Sequence, residues 1–171
     1  MRGSLKVLKE KFDDFPLIGV EVGVESGNNA SQILEILNMK ELHLIDIWDA
    51  YEQDGWAWNF SPLYEQVVER FKDHSNVSIT KVDSVVASLT FIDNSLDFVY
   101  IDANHQLEYV KEDIAVWYPK VKPGGYLCGH DYIPMFTGVI NAVQDFVTQS
   151  GLVLHTKQEN ERSVDWWVEK A

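Results

Sequence analysis

Short apolar runs alternate with stretches of helical periodicity along most of the chain. Runs of four to six apolar or alternating residues predict strands at 17–22, 42–45, 77–82, 96–101 and 126–129. Apolar side chains repeated at the i, i+3, i+4 and i+7 spacing predict helices at 4–14, 29–37, 62–74 and 106–119, and one from a Thr137 cap to just before Gly151. This alternation is typical of an α/β fold with a mostly parallel sheet.

The last two apolar runs lack a helix between them. Leu152–Thr156 and Ser163–Val168 are joined by a short polar stretch, which favours an antiparallel pair. The sequence therefore predicts one domain over residues 1–171, a doubly wound sheet of about seven strands that ends in an antiparallel hairpin. Residues 1–4 are left out of the functional interpretation.

The stretch 48–60 is aromatic and acidic and has no clear periodicity. It leaves the carboxyl edge of the predicted sheet, where open α/β proteins bind ligands. We interpret it as a loop that forms a lid over a substrate or cofactor. The alternative is that its tryptophans cover the core or a dimer contact.

A glycine turn joins the first strand to its helix. Gly23 and Gly27 lie between the strand and the helix, whose free N–H groups favour a carboxylate or another negative group. Asp46 follows 23 residues after Gly23, near the spacing of about 20 at which an acid meets ribose hydroxyls. Because the Gly-x-x-x-Gly spacing and Glu25 suit a pyrophosphate poorly, we predict a nucleoside cofactor without phosphates. A simple tight turn is the alternative.

Five motifs resemble those of class I S-adenosylmethionine-dependent methyltransferases, above all the small-molecule branch of macrocin-type sugar O-methyltransferases and cephalosporin-hydroxylase-like proteins. They are Glu21–Gly27, Leu44–Trp48, Tyr100–His105, Lys122–Tyr126 and Gly129–Tyr132. The resemblance implies a Rossmann-like methyltransferase fold, S-adenosylmethionine as cofactor and a small-molecule acceptor. It covers most of the chain, from about Leu17 to Trp167, but does not identify the acceptor.

The resemblance also implies which residues meet the cofactor. Glu21 is expected near the methionine amine, Asp46 on the ribose hydroxyls and Asp83 on the adenine, although Asp83 is nearly as well explained as a helix or turn cap. The full predicted set is Glu21, Gly23, Val24, Gly27, Asp46, Ile47, Trp48, Asp83, Ser84 and Asp102.

Acids and histidines follow the fourth and fifth strands, which points to acid–base or metal chemistry. We predict His105 as the base, His130 as the second candidate and Asp102 as a further catalytic residue. The resemblance implies Mg²⁺ at Asp102 and Asp131, with His130 as a third ligand; the imidazole favours Mn²⁺. Metal-free catalysis by His105 is the alternative, and His43, His74 and His155 are interpreted as structural.

Charge and composition limit the kinds of binding partner that we expect. Fourteen Lys and Arg against 27 Asp and Glu give a net charge of −13, which repels nucleic acid and favours a neutral or cationic small acceptor. Apolar runs are too short for a membrane span or signal peptide, so we predict a cytoplasmic protein. The single cysteine, Cys128, is expected to be a buried, inert thiol, and six tryptophans favour a homodimer.

The sequence thus predicts methyl transfer from S-adenosylmethionine to a hydroxyl of a small molecule. Two other functions stay open at this point. One is a Rossmann oxidoreductase that uses a nicotinamide cofactor, and the other is a methyltransferase-like binding protein without catalytic activity.

Overall fold

A computed structural model describes the backbone of residues 2–53, 56–160 and 163–171, and the side chains of these residues except 51–58, 159 and 160. The helices in these ranges are α1 (Gly3–Phe12), α2 (Asn28–Ile36), α3 (Leu63–Phe71), α4 (Ser84–Ser88), α5 (Leu107–Trp117) and α6 (Thr137–Ser150), with a 3₁₀ turn at Tyr118–Lys120. The strands are β1 (Leu17–Val22), β2 (Met39–Asp46), β3 (Ala50–Gln53), β4 (Trp56–Asn59), β5 (Val77–Lys81), β6 (Leu96–Ile101), β7 (Val121–Gly129), β8 (His155–Asn160) and β9 (Ser163–Glu169).

Seven strands form the main sheet in the order β5-β2-β1-β6-β7-β9-β8. The first five are parallel, whereas β9 runs antiparallel to both β7 and β8. The predicted α/β doubly wound fold with a C-terminal antiparallel hairpin is confirmed. In the register of the central strands, Val22 pairs with both Ile45 and Ile101, and Ile101 pairs with Gly129. The loops that follow these four residues therefore meet at one edge of the sheet.

Helices cover both faces of the sheet. On one face, α1, α2 and α3 pack through buried residues such as Leu8, Ile33 and Val67. On the other face, α5 and α6 pack through residues such as Ile114 and Val143. This two-sided cover explains why β6 is buried along its whole length. No helix in the described ranges is long and apolar enough to cross a membrane.

Several boundaries differ from the sequence prediction. Strand β2 begins at Met39 and not at 42, and β8 spans His155–Asn160 and not 152–156. The fifth strand begins earlier than the predicted 126–129, because the Lys-Pro-Gly-Gly stretch lies within β7. Gly124 has a left-handed φ of +77°, but the stretch stays joined to the residue after β9, because Gly124 N–H donates to the carbonyl of Lys170 and Lys170 N–H donates to that of Gly125. The cap position of α6 is Phe136 and not Thr137, and no side chain caps that end. Helix α4 was not predicted, since five residues are too few to show periodicity.

The stretch 48–60, predicted as a loop, contains a two-stranded antiparallel hairpin of β3 and β4. Each strand has four residues, too few for a clear alternation of apolar and polar positions. The side chains of residues 51–58 lie outside those described, so the lid and the dimer contact stay predictions.

Cys128 is fully buried on β7, and its Sγ lies 3.3 Å from the carbonyl oxygen of Val99 as a donor. Burial raises the pKa of this thiol well above its usual value. The predicted burial of Cys128 is confirmed, and a raised pKa is typical of an unreactive thiol.

Candidate active site

A cavity of about 760 Å³ opens at the carboxyl edge of the sheet. The loops that follow β1, β2, β5, β6 and β7 line it, and one side is closed by α5. Crevices at this edge are the usual ligand sites of open α/β sheets. The cavity is of a size that encloses a small organic ligand.

The glycine turn is fixed by Asp46. Oδ2 of Asp46 accepts from the backbone N–H groups of Val24 and Glu25, each at 2.8 Å, and Oδ1 accepts from the N–H of Trp48 at 2.8 Å. Gly23 has φ +84°, and a Cβ there would lie 2.2 Å from the carbonyl oxygen of Asp102. The turn therefore needs both a glycine and the neighbouring acid to keep its shape.

Glu21 lies at the floor of the cavity and is 1% exposed. Its Oε1 accepts from Asn29 Nδ2 at 3.1 Å, whereas Oε2 is buried without a hydrogen-bond partner. Burial raises the pKa of this carboxyl to about 8, against a smaller opposing effect of the Asn29 hydrogen bond. A buried acid with a free oxygen fits a cationic ligand group such as the ammonium of S-adenosylmethionine.

The wall after β5 carries Asp83 and Ser84. Oδ1 of Asp83 accepts from the N–H groups of Val85 and Val86, at 3.0 and 3.2 Å, so it caps α4 as the alternative interpretation expected. Ser84 donates to Asp113, a buried acid on α5. Burial raises the pKa of Asp113 to about 7, although the Ser84 hydrogen bond lowers it.

Asp131 joins the two histidines at the other end of the cavity. Its Oδ2 lies 2.9 Å from His105 Nε2, and its Oδ1 lies 3.0 Å from His130 Nδ1. Burial alone would raise the pKa of Asp131, but the hydrogen bonds from His105 and His130 outweigh this and lower it strongly. The φ of Asp131 is +57°, an uncommon value outside glycine that is often found at functional sites.

The two histidines differ in their surroundings. His105 stacks on Phe136 with 4.1 Å between ring centroids, which fixes the ring plane. His130 lies deeper: its Nε2 is 3.0 Å from Ser163 Oγ, and its Nδ1 is 3.9 Å from Asp102 Oδ1. Burial alone would lower the pKa of His130, but the Asp131 hydrogen bond and the charge of Asp102 raise it.

One group of side chains in the described ranges has the spacing of a metal site. Ligand atoms of Asp102, His105 and Asp131 all lie within 4.8 Å of one another. The group contains both predicted acids, but His105 takes the place that we expected for His130. Two carboxylates with imidazole fit a divalent transition ion better than Mg²⁺, which prefers oxygen ligands alone.

Arg2, which the sequence interpretation set aside, lies in the cavity wall. Its Nη1 is 3.1 Å from Asp102 Oδ2 and also donates to the hydroxyl of Tyr100. A lone arginine in a short polar segment gives no pattern that could have revealed this role. Asp113 did leave a signal, because it is an acid on the buried stripe of α5 beside Val110 and Ile114.

Most of the predicted site residues line this cavity. Two predicted cofactor residues, Gly27 and Trp48, do not. Trp48 is fully buried in the core, where its Nε1 donates to the carbonyl of Glu25 at 2.9 Å. Its contribution is therefore to support the turn from behind. The residues that do line the cavity are Glu21, Gly23, Val24, Asp46, Ile47, Asp83, Ser84, Asp102, His105, His130 and Asp131.

Comparison with known proteins identifies the family. A family model described as a methyltransferase domain matches residues 20–132, which include the glycine turn and both histidine motifs. The chain belongs to this family. It is therefore a methyltransferase domain with the class I fold.

Solved structures share this fold at low sequence identity. An S-adenosylmethionine-dependent methyltransferase from Aquifex aeolicus superposes with a TM-score of 0.68 at 14% identity, covering 98% of this chain and 89% of that chain. The N-methyltransferase NodS from Bradyrhizobium japonicum, in complex with S-adenosylhomocysteine, superposes with a TM-score of 0.64 at 14% identity, covering 96% and 84%. The family and the shared fold support S-adenosylmethionine as the cofactor.

A curated relative is an uncharacterized protein of Acanthamoeba polyphaga mimivirus. It is 28% identical over 134 residues, which is 75% of this chain and 57% of the viral protein. The chain thus spans little more than half the length of the relative that it matches.

Proposed function

We propose that this chain transfers the methyl group of S-adenosylmethionine to a hydroxyl of a small molecule such as a sugar, polyketide or phenol. The observation that carries this proposal is the 2.9 Å contact between His105 Nε2 and Asp131 Oδ2 on the cavity wall. A hydroxyl must lose its proton as the methyl group arrives, and a histidine oriented by a carboxylate can take that proton.

The two ends of the cavity suit the two reactants. Six acids line the end formed by the β1, β2 and β5 loops and α5, which suits a cationic sulfonium cofactor: Glu21, Glu25, Asp46, Asp83, Glu112 and Asp113. The imidazoles lie at the end formed by the β6 and β7 loops. A cofactor held at the acidic end would direct its methyl group towards an acceptor beside His105, and alignment of donor and acceptor is a large part of such catalysis.

We propose oxygen as the atom of the acceptor that is methylated. The shared fold leaves the acceptor atom open, since NodS is an N-methyltransferase. A neutral amine attacks through its lone pair and needs no base beforehand, whereas a hydroxyl gains from one. The oriented His105 therefore favours oxygen as the acceptor atom.

A divalent metal ion is supported by the donor set described above. Asp102, His105 and Asp131 would hold it, with His130 at the edge of the group through its contact with Asp131. When bound, the ion would act as a Lewis acid that lowers the pKa of the acceptor hydroxyl. His105 cannot be a ligand and a base through the same nitrogen, so in a metal-bound site His130 would be the base.

The acceptor is proposed to be a small molecule in the cytoplasm, not a nucleic acid or a membrane component. The net charge of −13 and the acidic cavity wall both oppose binding to phosphate backbones. The family does not support the nicotinamide oxidoreductase considered from the sequence.

The test is release of S-adenosylhomocysteine from S-adenosylmethionine with a panel of sugars, phenols and hydroxylated polyketides. With an active acceptor, the rate of S-adenosylhomocysteine release should fall about 10²-fold or more in His105→Gln or Asp131→Asn. Glu108→Gln, an exposed change on α5, serves as the control. Cofactor binding without turnover on any acceptor would instead favour a binding protein, and methylation of amines alone would refute the hydroxyl assignment.

A further inference from the structure

Arg2 is the one lysine or arginine that lines the cavity within the described ranges. Besides its contacts with Asp102 and Tyr100, its guanidinium lies 5.3 Å from the centroid of the Tyr100 ring. Its side chain is 18% exposed, so the ion pair with Asp102 is largely shielded from water. Arg2 therefore holds the carboxylate that we assign to the metal ion.

The segment that carries Arg2 is fastened to the sheet. Ser4 donates to Asp165 Oδ2 through both its N–H, at 3.0 Å, and its Oγ, at 2.5 Å. Asp165 is fully buried on β9, and its Oδ1 accepts from the Tyr100 hydroxyl at 3.1 Å. The start of α1 is thus anchored two residues from Arg2, which leaves the arginine side chain as the adjustable part.

The charges around Asp102 and Asp131 indicate the role of Arg2. Two carboxylates as close as Asp102 and Asp131 repel each other unless cationic or hydrogen-bond-donating groups lie beside them. In the structure the guanidinium of Arg2 supplies the opposing charge on Asp102, and ring nitrogens of His105 and His130 lie within hydrogen-bond distance of Asp131. A divalent ion bound to Asp102 would share that carboxylate with a guanidinium, and two cations on one poorly hydrated carboxylate repel strongly.

We infer that Arg2 and a divalent metal ion are competing occupants of the Asp102 carboxylate, so that Arg2 is a tethered counter-cation that leaves when the ion binds. This inference rests on the metal site of the proposed function. The opposing view is that Arg2 stays in place and orients Asp102 for the ion. The two views predict opposite effects of removing the guanidinium, because a competitor weakens metal binding and an orienting group strengthens it.

The experiment is a titration with Mn²⁺, followed by the electron paramagnetic resonance of the free ion, on the full chain and its variants. Arg2→Met should bind Mn²⁺ about tenfold more tightly than the unchanged chain, and Arg2→Lys should fall between them. Lys111→Met is the matched control, since it removes a cation from an exposed ion pair with Asp145 on the helices. It should leave Mn²⁺ affinity within about twofold.

A double variant tests whether the tighter Mn²⁺ binding takes place at Asp102. Tighter binding in Arg2→Met must disappear in Arg2→Met/Asp102→Asn, and a thermal melt checks that each variant is folded. Unchanged or weaker Mn²⁺ binding in both Arg2 variants overturns the inference alone, provided that the unchanged chain binds Mn²⁺ through Asp102. If no variant binds Mn²⁺, the metal site of the proposed function fails and the inference fails with it. Methyl transfer is measured separately by S-adenosylhomocysteine release.

Discussion

At the residue scale, Asp46 combines an observed structural role with a predicted role in cofactor binding. The sequence predicts that it binds the ribose hydroxyls of the cofactor, and the structure adds that it accepts three backbone N–H groups of the turn and of Trp48. We expect Asp46→Ala to weaken S-adenosylmethionine binding about tenfold or more, because the loss of a charged acceptor costs ~1.5–3 kcal/mol. Calorimetry with S-adenosylmethionine measures this. Unchanged affinity would remove the ribose assignment.

Glu21 should make both stability and cofactor binding depend on pH. Its pKa is raised from 4.5 to about 8 in the folded chain, so between these values the folded state holds a proton that the unfolded chain has lost. Stability from this group therefore falls as pH rises from about 4.5 to about 8. A cationic ligand favours the ionised carboxylate, so S-adenosylmethionine affinity should rise with pH over the same range.

Glu21→Gln tests both effects. The variant should lose stability less steeply between pH 5 and pH 8 in urea unfolding, and it should bind S-adenosylmethionine more weakly with a flatter pH dependence. Asp113→Asn is the control, because it removes another cavity carboxyl whose pKa is raised and leaves the Glu21 part of the pH dependence intact. If the stability of Glu21→Gln depends on pH as steeply as that of the unchanged chain, this explanation is wrong.

At the scale of elements, the turn after β1 depends on the absence of a side chain at Gly23. Gly23 and Gly124 have similar backbone angles, with φ of +84° and +77°, but only at Gly23 would a Cβ collide with backbone atoms. We expect Gly23→Ala to abolish measurable S-adenosylmethionine binding. Gly124→Ala, with nothing within 4 Å of the added carbon, should cost about 1 kcal/mol of stability and leave binding intact. Thermal melts with and without cofactor compare the two variants.

The long elements could be predicted from the sequence because each repeats its own pattern several times. Val20, Val99 and Leu127 lie in apolar runs, and Ile114 and Val143 lie on helical stripes, so the core on this face of the sheet followed from periodicity. Short elements such as α4 and the β3–β4 hairpin carry too few repeats. Parallel topology then placed the strand-end acids and histidines together.

The rest of the site depends on contacts between distant residues. Arg2 meets Asp102 across 100 positions of sequence, and Ser4 meets Asp165 across 161. No local pattern encodes such pairs. For the same reason Trp48, which follows the ribose acid directly, was expected at the cofactor, whereas its ring packs against Tyr64 at 5.3 Å in the core.

At the scale of the whole molecule, the tryptophans give less support to a homodimer than the sequence suggested. Trp48, Trp117, Trp166 and Trp167 are buried in the core of one chain, each with at most 9% exposure. The other two, Trp56 and Trp58, lie among the side chains outside those described. A dimer contact that is built on tryptophan would therefore use the β3–β4 hairpin, which both remaining tryptophans occupy.

We therefore predict a homodimer whose contact is formed by the β3–β4 hairpin. Light scattering at micromolar concentration should give twice the mass of one chain, because symmetric dimers are the commonest soluble assembly and tryptophan is enriched at interface centres. Trp56→Ser/Trp58→Ser should shift the mass to that of a single chain if the hairpin forms the contact. Phe15→Ser, which removes an exposed aromatic after α1, serves as the control and should keep the dimer mass. A monomer mass for the unchanged chain would refute the dimer, and a dimer that survives the double change would move the contact away from the hairpin.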